Sequence, residues 1–103
     1  MDKIAALSEI LTADPANAFA RYGLAMEHNT QGNTDLALTE FTTLIHDNPD
    51  YVPAYQMSAQ TLAKLGRTGE AITRLKEGLI AAKRTNNAHA ASEMQALLDD
   101  LTL

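Results

Sequence analysis

Residues 14–49 read DPANAFARYGLAMEHNTQGNTDLALTEFTTLIHDNP. Two Asx-Pro pairs, Asp14-Pro15 and Asn48-Pro49, bracket two apolar-periodic runs joined at Gly32. Moved along by 34 positions, the chain aligns with itself: Pro15 on Pro49, Ala20 on Ala54, Ala25 on Ala59, Gly32 on Gly66 and Ala37 on Ala71. A fixed period of that length is the mark of stacked helical hairpins, none of which buries its apolar face alone.

The pattern outside this stretch is also helical. Residues 2–13 place Ile4, Leu7, Ile10 and Leu11 on one stripe, with Asp2 at the start and a forced stop before Pro15. Residues 17–31 form the next helix, with Asn17 as cap, Ala20, Leu24, Ala25 and His28 on one face, and Gly32 as terminator. Asn33 or Thr34 caps residues 34–47, which bury Ala37, Leu38, Phe41, Leu44 and Ile45. Pro53 fits the first turn of a helix over 53–65 that carries Ala54, Tyr55, Met57, Ala59 and Leu62 inward, and Gly66 ends it. Thr68 is a candidate cap for 69–84, with Ala71, Ile72, Leu75, Gly78 and Leu79 facing in. Gly78 in mid-helix costs about 1 kcal/mol relative to Ala, which is tolerable where a neighbouring backbone comes close. Asn86-Asn87 turns into a final helix over 88–102 striped with Ala91, Met94, Leu97, Leu98 and Leu101.

At 103 residues, the chain is expected to be one domain. It has no cysteine, so disulfides and thiolate metal sites are excluded. No apolar stretch approaches a membrane span and the N-terminus does not resemble a signal peptide, so a cytoplasmic protein without membrane contact is expected. The net charge is −5 and unevenly spread. Residues 1–50 hold eight acids and two bases, 51–87 hold six bases and two acids, and 88–103 hold three acids and no base. With no aromatic platform beside it, the basic cluster is read as a solvated face and no nucleic-acid partner is expected. The alternating signs suit salt-sensitive self-association, the positive middle of one molecule meeting the acidic end of another.

Catalytic chemistry finds no footing. His28, His46 and His89 are read as isolated, without a paired ligand at i+3 or i+4, so no metal site is expected. Asp99 and Asp100 are adjacent and point to different helix faces, and Gly66 and Gly69 lack the Lys-Ser/Thr of a phosphate loop. No catalytic residue and no cofactor is expected.

These residues resemble the tetratricopeptide repeat, whose first helix carries W-x2-L-G-x2-Y and whose second carries A-x3-F and a closing proline. Residues 18–51 match with Leu24-Ala25, Ala37, Phe41 and Pro49, and residues 52–85 match with Tyr55 at the Trp position, Ala59, Ala71 and Leu75. Arg21 and His28 replace aromatics in the first repeat. Ser58 and Leu62 depart in the second, and Lys83 stands at the proline position, so its last helix is expected to run on for another turn. Residues 2–15 resemble the second helix of a partial repeat and 88–103 a capping helix.

The resemblance implies an all-α, right-handed α-α superhelix of five or six helices in a single domain, 1–103. It also implies a non-enzymatic role: binding a peptide or helix of another protein in a shallow concave groove. By register, the groove positions are Phe19, Tyr22, Met26 and Asn29, then Pro53, Gln56, Gln60 and Lys64. Tyr and Met would anchor side chains, and Asn and Gln would pair with a peptide backbone. The plainer alternative has Phe19 and Tyr22 packing against the first helix and Gln56 merely solvated. Family members that hold a chaperone's C-terminal carboxylate use Lys and Arg where this chain has Tyr22, Met26, Met57 and Gln60, so no preference for such a tail is expected. The competing function is structural, a homo-dimer formed through the terminal helices.

Overall fold

The structure, a computed structural model, describes residues 2–103. These residues are all-α and form six helices: α1 Lys3–Ala13, α2 Ala18–Thr30, α3 Thr34–Asp47, α4 Val52–Lys64, α5 Thr68–Arg84 and α6 Ala88–Leu101. They fall into two compact units, divided between Asn48 and Pro49.

In the first unit, α2 packs on both α1 and α3. Helix α1 starts where the Asp2 carboxylate accepts the Ala5 N–H at 2.8 Å, and α2 where the Asn17 carbonyl oxygen accepts the Ala20 N–H at 2.9 Å. Each cap satisfies an amide that the first turn leaves free. Asn33 precedes α3 without a side-chain bond, so neither it nor Thr34 caps that helix in the expected way. Ile4 and Leu7 pack against the buried Leu11, Ala20 and Leu24, while Ala37, Phe41 and Leu44 are the buried face of α3.

The second unit packs α4 on α5, α5 on α6, and α4 more lightly on α6. Ala54, Tyr55, Ala59 and Leu62 of α4, Ala71 and Leu75 of α5, and Met94 and Leu98 of α6 are buried. Ser58 and Thr61 are buried polar residues of α4, and each hydroxyl donates to a carbonyl of its own helix, that of Tyr55 at 3.2 Å and of Met57 at 2.9 Å. Thr68 is the first residue of α5 rather than its cap. Arg67 holds that position and forks onto the Glu70 carboxylate at 2.5 and 2.7 Å, which lowers the Glu70 pKa. Gly78 also departs from expectation: side chains, not a backbone, crowd it. A Cβ there would lie 2.6 Å from Met94 Sδ and 2.7 Å from Tyr55 Cβ.

The first five helices end in two ways. Gly32 (φ 82°), Gly66 (φ 76°) and Asn86 (φ 56°) take the left-handed conformation after α2, α4 and α5. In each case the next residue's N–H reaches back to the last turn, Asn33 to His28 O, Arg67 to Leu62 O and Asn87 to Ala82 O, at 2.8–2.9 Å. By contrast, α1 and α3 stop at Asp14 and Asn48, whose backbones leave the helical region (ψ 80° and 78°) and which are each followed by a proline. With no proline at Lys83, α5 runs 17 residues against the 14 of α3, the extension the sequence anticipates.

Candidate functional site

In the first unit, Phe19, Tyr22, Met26 and Asn29 are spaced three, four and three apart and share one strip of α2. Phe19 is 79% exposed, so it does not pack against α1 as the plainer reading would have it. Tyr22, Met26 and Asn29 are half-buried. The Tyr22 ring lies tilted against Phe41 of α3, with centroids 6.1 Å apart and planes at 59°. His28, on the same helix, is half-buried with a buried Nδ1 that has no hydrogen-bond partner among the described residues.

In the second unit, Gln56, Gln60 and Lys64 recur every four residues along α4, after the exposed Pro53. Seven of the thirteen residues of α4 are buried, so its outlet to solvent is a narrow strip. Gln56 is not merely solvated. Its Nε2 donates to Glu93 Oε2 of α6 at 3.3 Å, and the other Glu93 oxygen lies 2.8 Å from His89 Nε2. The reading of His89 as isolated is therefore corrected: Glu93 is its i+4 partner. No group of three metal-binding side chains occurs among the described residues.

Glu93 is the residue that sequence reasoning missed. The i+4 spacing from His89 was visible, but the contact with Gln56, 37 residues earlier, has no periodic signal. The chain thus places the expected residues on two helices, four on α2 and three, with Pro53, on α4, and adds His89 and Glu93 on α6.

Next to His89, an open cleft of about 760 Å³ runs between the entry to α4 (Asp50, Tyr51 and the helix's first residues Val52 and Pro53) and the α5–α6 turn (Thr85, Asn86, Asn87). Arg84 ties its walls together, bonding Asp50 Oδ1 at 2.5 Å and Pro49 O at 3.2 Å. Pro49 O also accepts the Tyr55 hydroxyl at 2.7 Å. Burial raises the pKa of both Tyr51 and Tyr55; for Tyr55, Glu77 adds to the rise while Arg84 and Arg74 oppose it. The surface offers amide and carboxylate groups for recognition. Among the described residues, no helix is long and apolar enough to cross a membrane.

The tetratricopeptide repeat model matches residues 28–98, over two-thirds of the chain. A tetratricopeptide repeat domain protein from Salinibacter ruber, solved in solution, is 33% identical; the match covers 85% of this chain and 89% of that one, with a TM-score of 0.81. Two more distant structures share the fold. One is the TPR2B-domain:pHsp70 complex of yeast Sti1 (19% identity, TM-score 0.88, 96% of this chain and 79% of that one). The other is the Yersinia enterocolitica type III secretion translocator chaperone SycD (14% identity, TM-score 0.87, 96% and 69%). No curated protein matches. With six helices in hairpins, a repeat register of 34 residues and a family match across most of its length, the chain belongs to the tetratricopeptide repeat family, a class of protein–protein interaction modules that are typically non-catalytic.

Proposed function

We propose that this chain binds an extended peptide or a helix of another protein, without catalysis, on the solvent-facing strips of α2 and α4. The carrying observation is the shape of the α4 strip. Gln56 and Gln60 stand one turn apart on a helix otherwise largely buried, and Glu93 flanks the first of them. Four helical residues rise about 6 Å, whereas two residues of an extended chain span about 6.6 Å. Two glutamines at this spacing therefore meet alternate peptide groups of a strand laid along the helix, each offering a donor and an acceptor. On α2, Tyr22 and Met26 supply apolar anchorage and Phe19 projects into solvent, where a partner side chain would cover it.

The test begins with peptides selected from a random display library and titrated by fluorescence anisotropy. Tyr22→Ala and Gln60→Ala are each expected to weaken the selected peptides by about tenfold, the scale of one good contact, with the helical circular-dichroism signal unchanged. Undiminished binding by both variants would place the binding surface elsewhere.

A further inference from the structure

A second surface, separate from the α2 and α4 strips, is carried by α5. Lys76, Ile80 and Lys83 lie at i, i+4 and i+7 on its exposed face. Ile80 is 62% exposed, an uncovered apolar side chain with a lysine one turn before and one turn after it. Among the described residues, neither lysine has an ion-pair partner. The neighbouring charges are already engaged, Glu77 by Arg74 at 3.8 Å and Arg84 by Asp50.

The first unit carries a counterpart of opposite sign. Ile10 (45% exposed) and Phe19 (79% exposed) flank the α1–α2 turn at Asp14-Pro15. Glu9 and Asp14 are exposed beside them, and neither carboxylate has a cation partner among the described residues. Residues 1–48 hold seven acids and two bases, whereas residues 49–103 hold six of each, so the acidic excess of the whole chain sits in the first unit.

We infer that the α5 face of one molecule docks on the α1–α2 turn of a second copy, Ile80 against Phe19 and Ile10, with Lys76 and Lys83 against Glu9 and Asp14. Apolar contact supplies the attraction, and the charges fix which face meets which. The two patches are different, so the contact is heterologous and leaves a free patch of each kind on every dimer. Association is therefore open-ended, with a mass that climbs with concentration instead of stopping at two. It does not use the α4 strip, but it shares Phe19 with the α2 strip, so a peptide held there and a second copy compete for that side chain.

Sedimentation equilibrium at low ionic strength and at about 0.5 M salt tests this, since screening at that strength reaches only about 4 Å. The mean mass is expected to rise beyond a dimer at low salt, with association at least about tenfold weaker at the higher salt. Lys76→Glu/Lys83→Glu removes one patch and Asp14→Asn/Phe19→Ser the other, and each variant alone is expected to stay monomeric. All four positions are exposed, so both variants are expected to keep the wild-type helical signal. Mixed one to one, the variants still hold one intact patch each, and a heterodimer that grows no further is expected. A wild-type monomer up to about 1 mM, a concentration that populates even very weak contacts, would overturn the inference. So would a closed dimer that either variant still forms, or a mixture that stays monomeric.

Discussion

The α2–α3 hairpin and the α4–α5 hairpin solve one problem with different chemistry. At the position where the repeat favours an aromatic, the first has Arg21 and the second Tyr55. Both reach back to the proline six residues earlier: Arg21 Nη2 donates to Pro15 O at 3.2 Å and the Tyr55 hydroxyl to Pro49 O at 2.7 Å. What surrounds each differs accordingly. The guanidinium is met by Glu40 at 2.7 Å, whereas the same register in the second hairpin holds Arg74, which turns to Glu77. The tyrosine ring needs room, and Gly78 gives it at the position where the first hairpin fills space with the buried Leu44. The repeat thus keeps a contact while changing the group that makes it, and each change forces another nearby.

Swapping the space-filling choices produces the largest effects. Leu44→Ala opens a cavity in the first hairpin and is expected to lower stability by about 2–5 kcal/mol. Gly78→Ala does the reverse, adding a methyl group that collides with Tyr55 and Met94, at a cost of about 1–3 kcal/mol. Urea denaturation midpoints measure both. An unchanged midpoint for Gly78→Ala would mean that the ring and the glycine are not coupled.

The two proline contacts separate by salt. Tyr55→Phe removes a neutral hydrogen bond and is expected to cost about 0.5–1.5 kcal/mol, equally in dilute buffer and in high salt. Arg21→Gln removes a charged pair of which about a fifth of each side chain is exposed. Its cost is expected to be up to about 1 kcal/mol in dilute buffer, falling as salt is added. Equal salt responses would erase the distinction between the hairpins.

The smallest effect is a response to alkali confined to the second hairpin's chemistry. Tyr51 and Tyr55 both have pKa values raised above the ordinary 10.0 by burial. The folded state therefore holds these protons more tightly than the unfolded chain does. Stability from this source is full below pH 10 and drains away as pH rises past the raised values. Tyr55→Phe is expected to flatten that decline in a pH series of urea midpoints.

Much of the fold was legible because it is written in local signals. Gly32, Gly66, Pro15 and Pro49 mark their turns whatever lies around them, and the Asp2 and Asn17 caps act within three residues. The failures lie where a distant residue or a competing neighbour decides. Thr68 has the chemistry of a cap, yet Arg67 takes the position and pairs with Glu70. Gly78 is explained by Tyr55 and Met94, residues of two other helices. Of the candidate surface, the repeat register set Phe19, Tyr22, Met26 and Asn29 on one face of α2 and Gln56, Gln60 and Lys64 on one face of α4, because helical spacing determines which residues share a face. Glu93 escaped because its link to Gln56 joins α4 to α6 through side chains, outside any periodic pattern.

The extra length of α5 resets the ruler for the last helix. Helix α4 begins 34 residues after α2, but α6 begins 36 after α4. Buried Ala54, Ser58 and Leu62 accordingly find their counterparts at Ala90, Met94 and Leu98, not two positions earlier. Two residues turn a helix by about 200°. The apolar face of α6 is therefore found only by stepping 36 residues on from α4, and a count kept at 34 would assign the inward side of this helix to its solvent side.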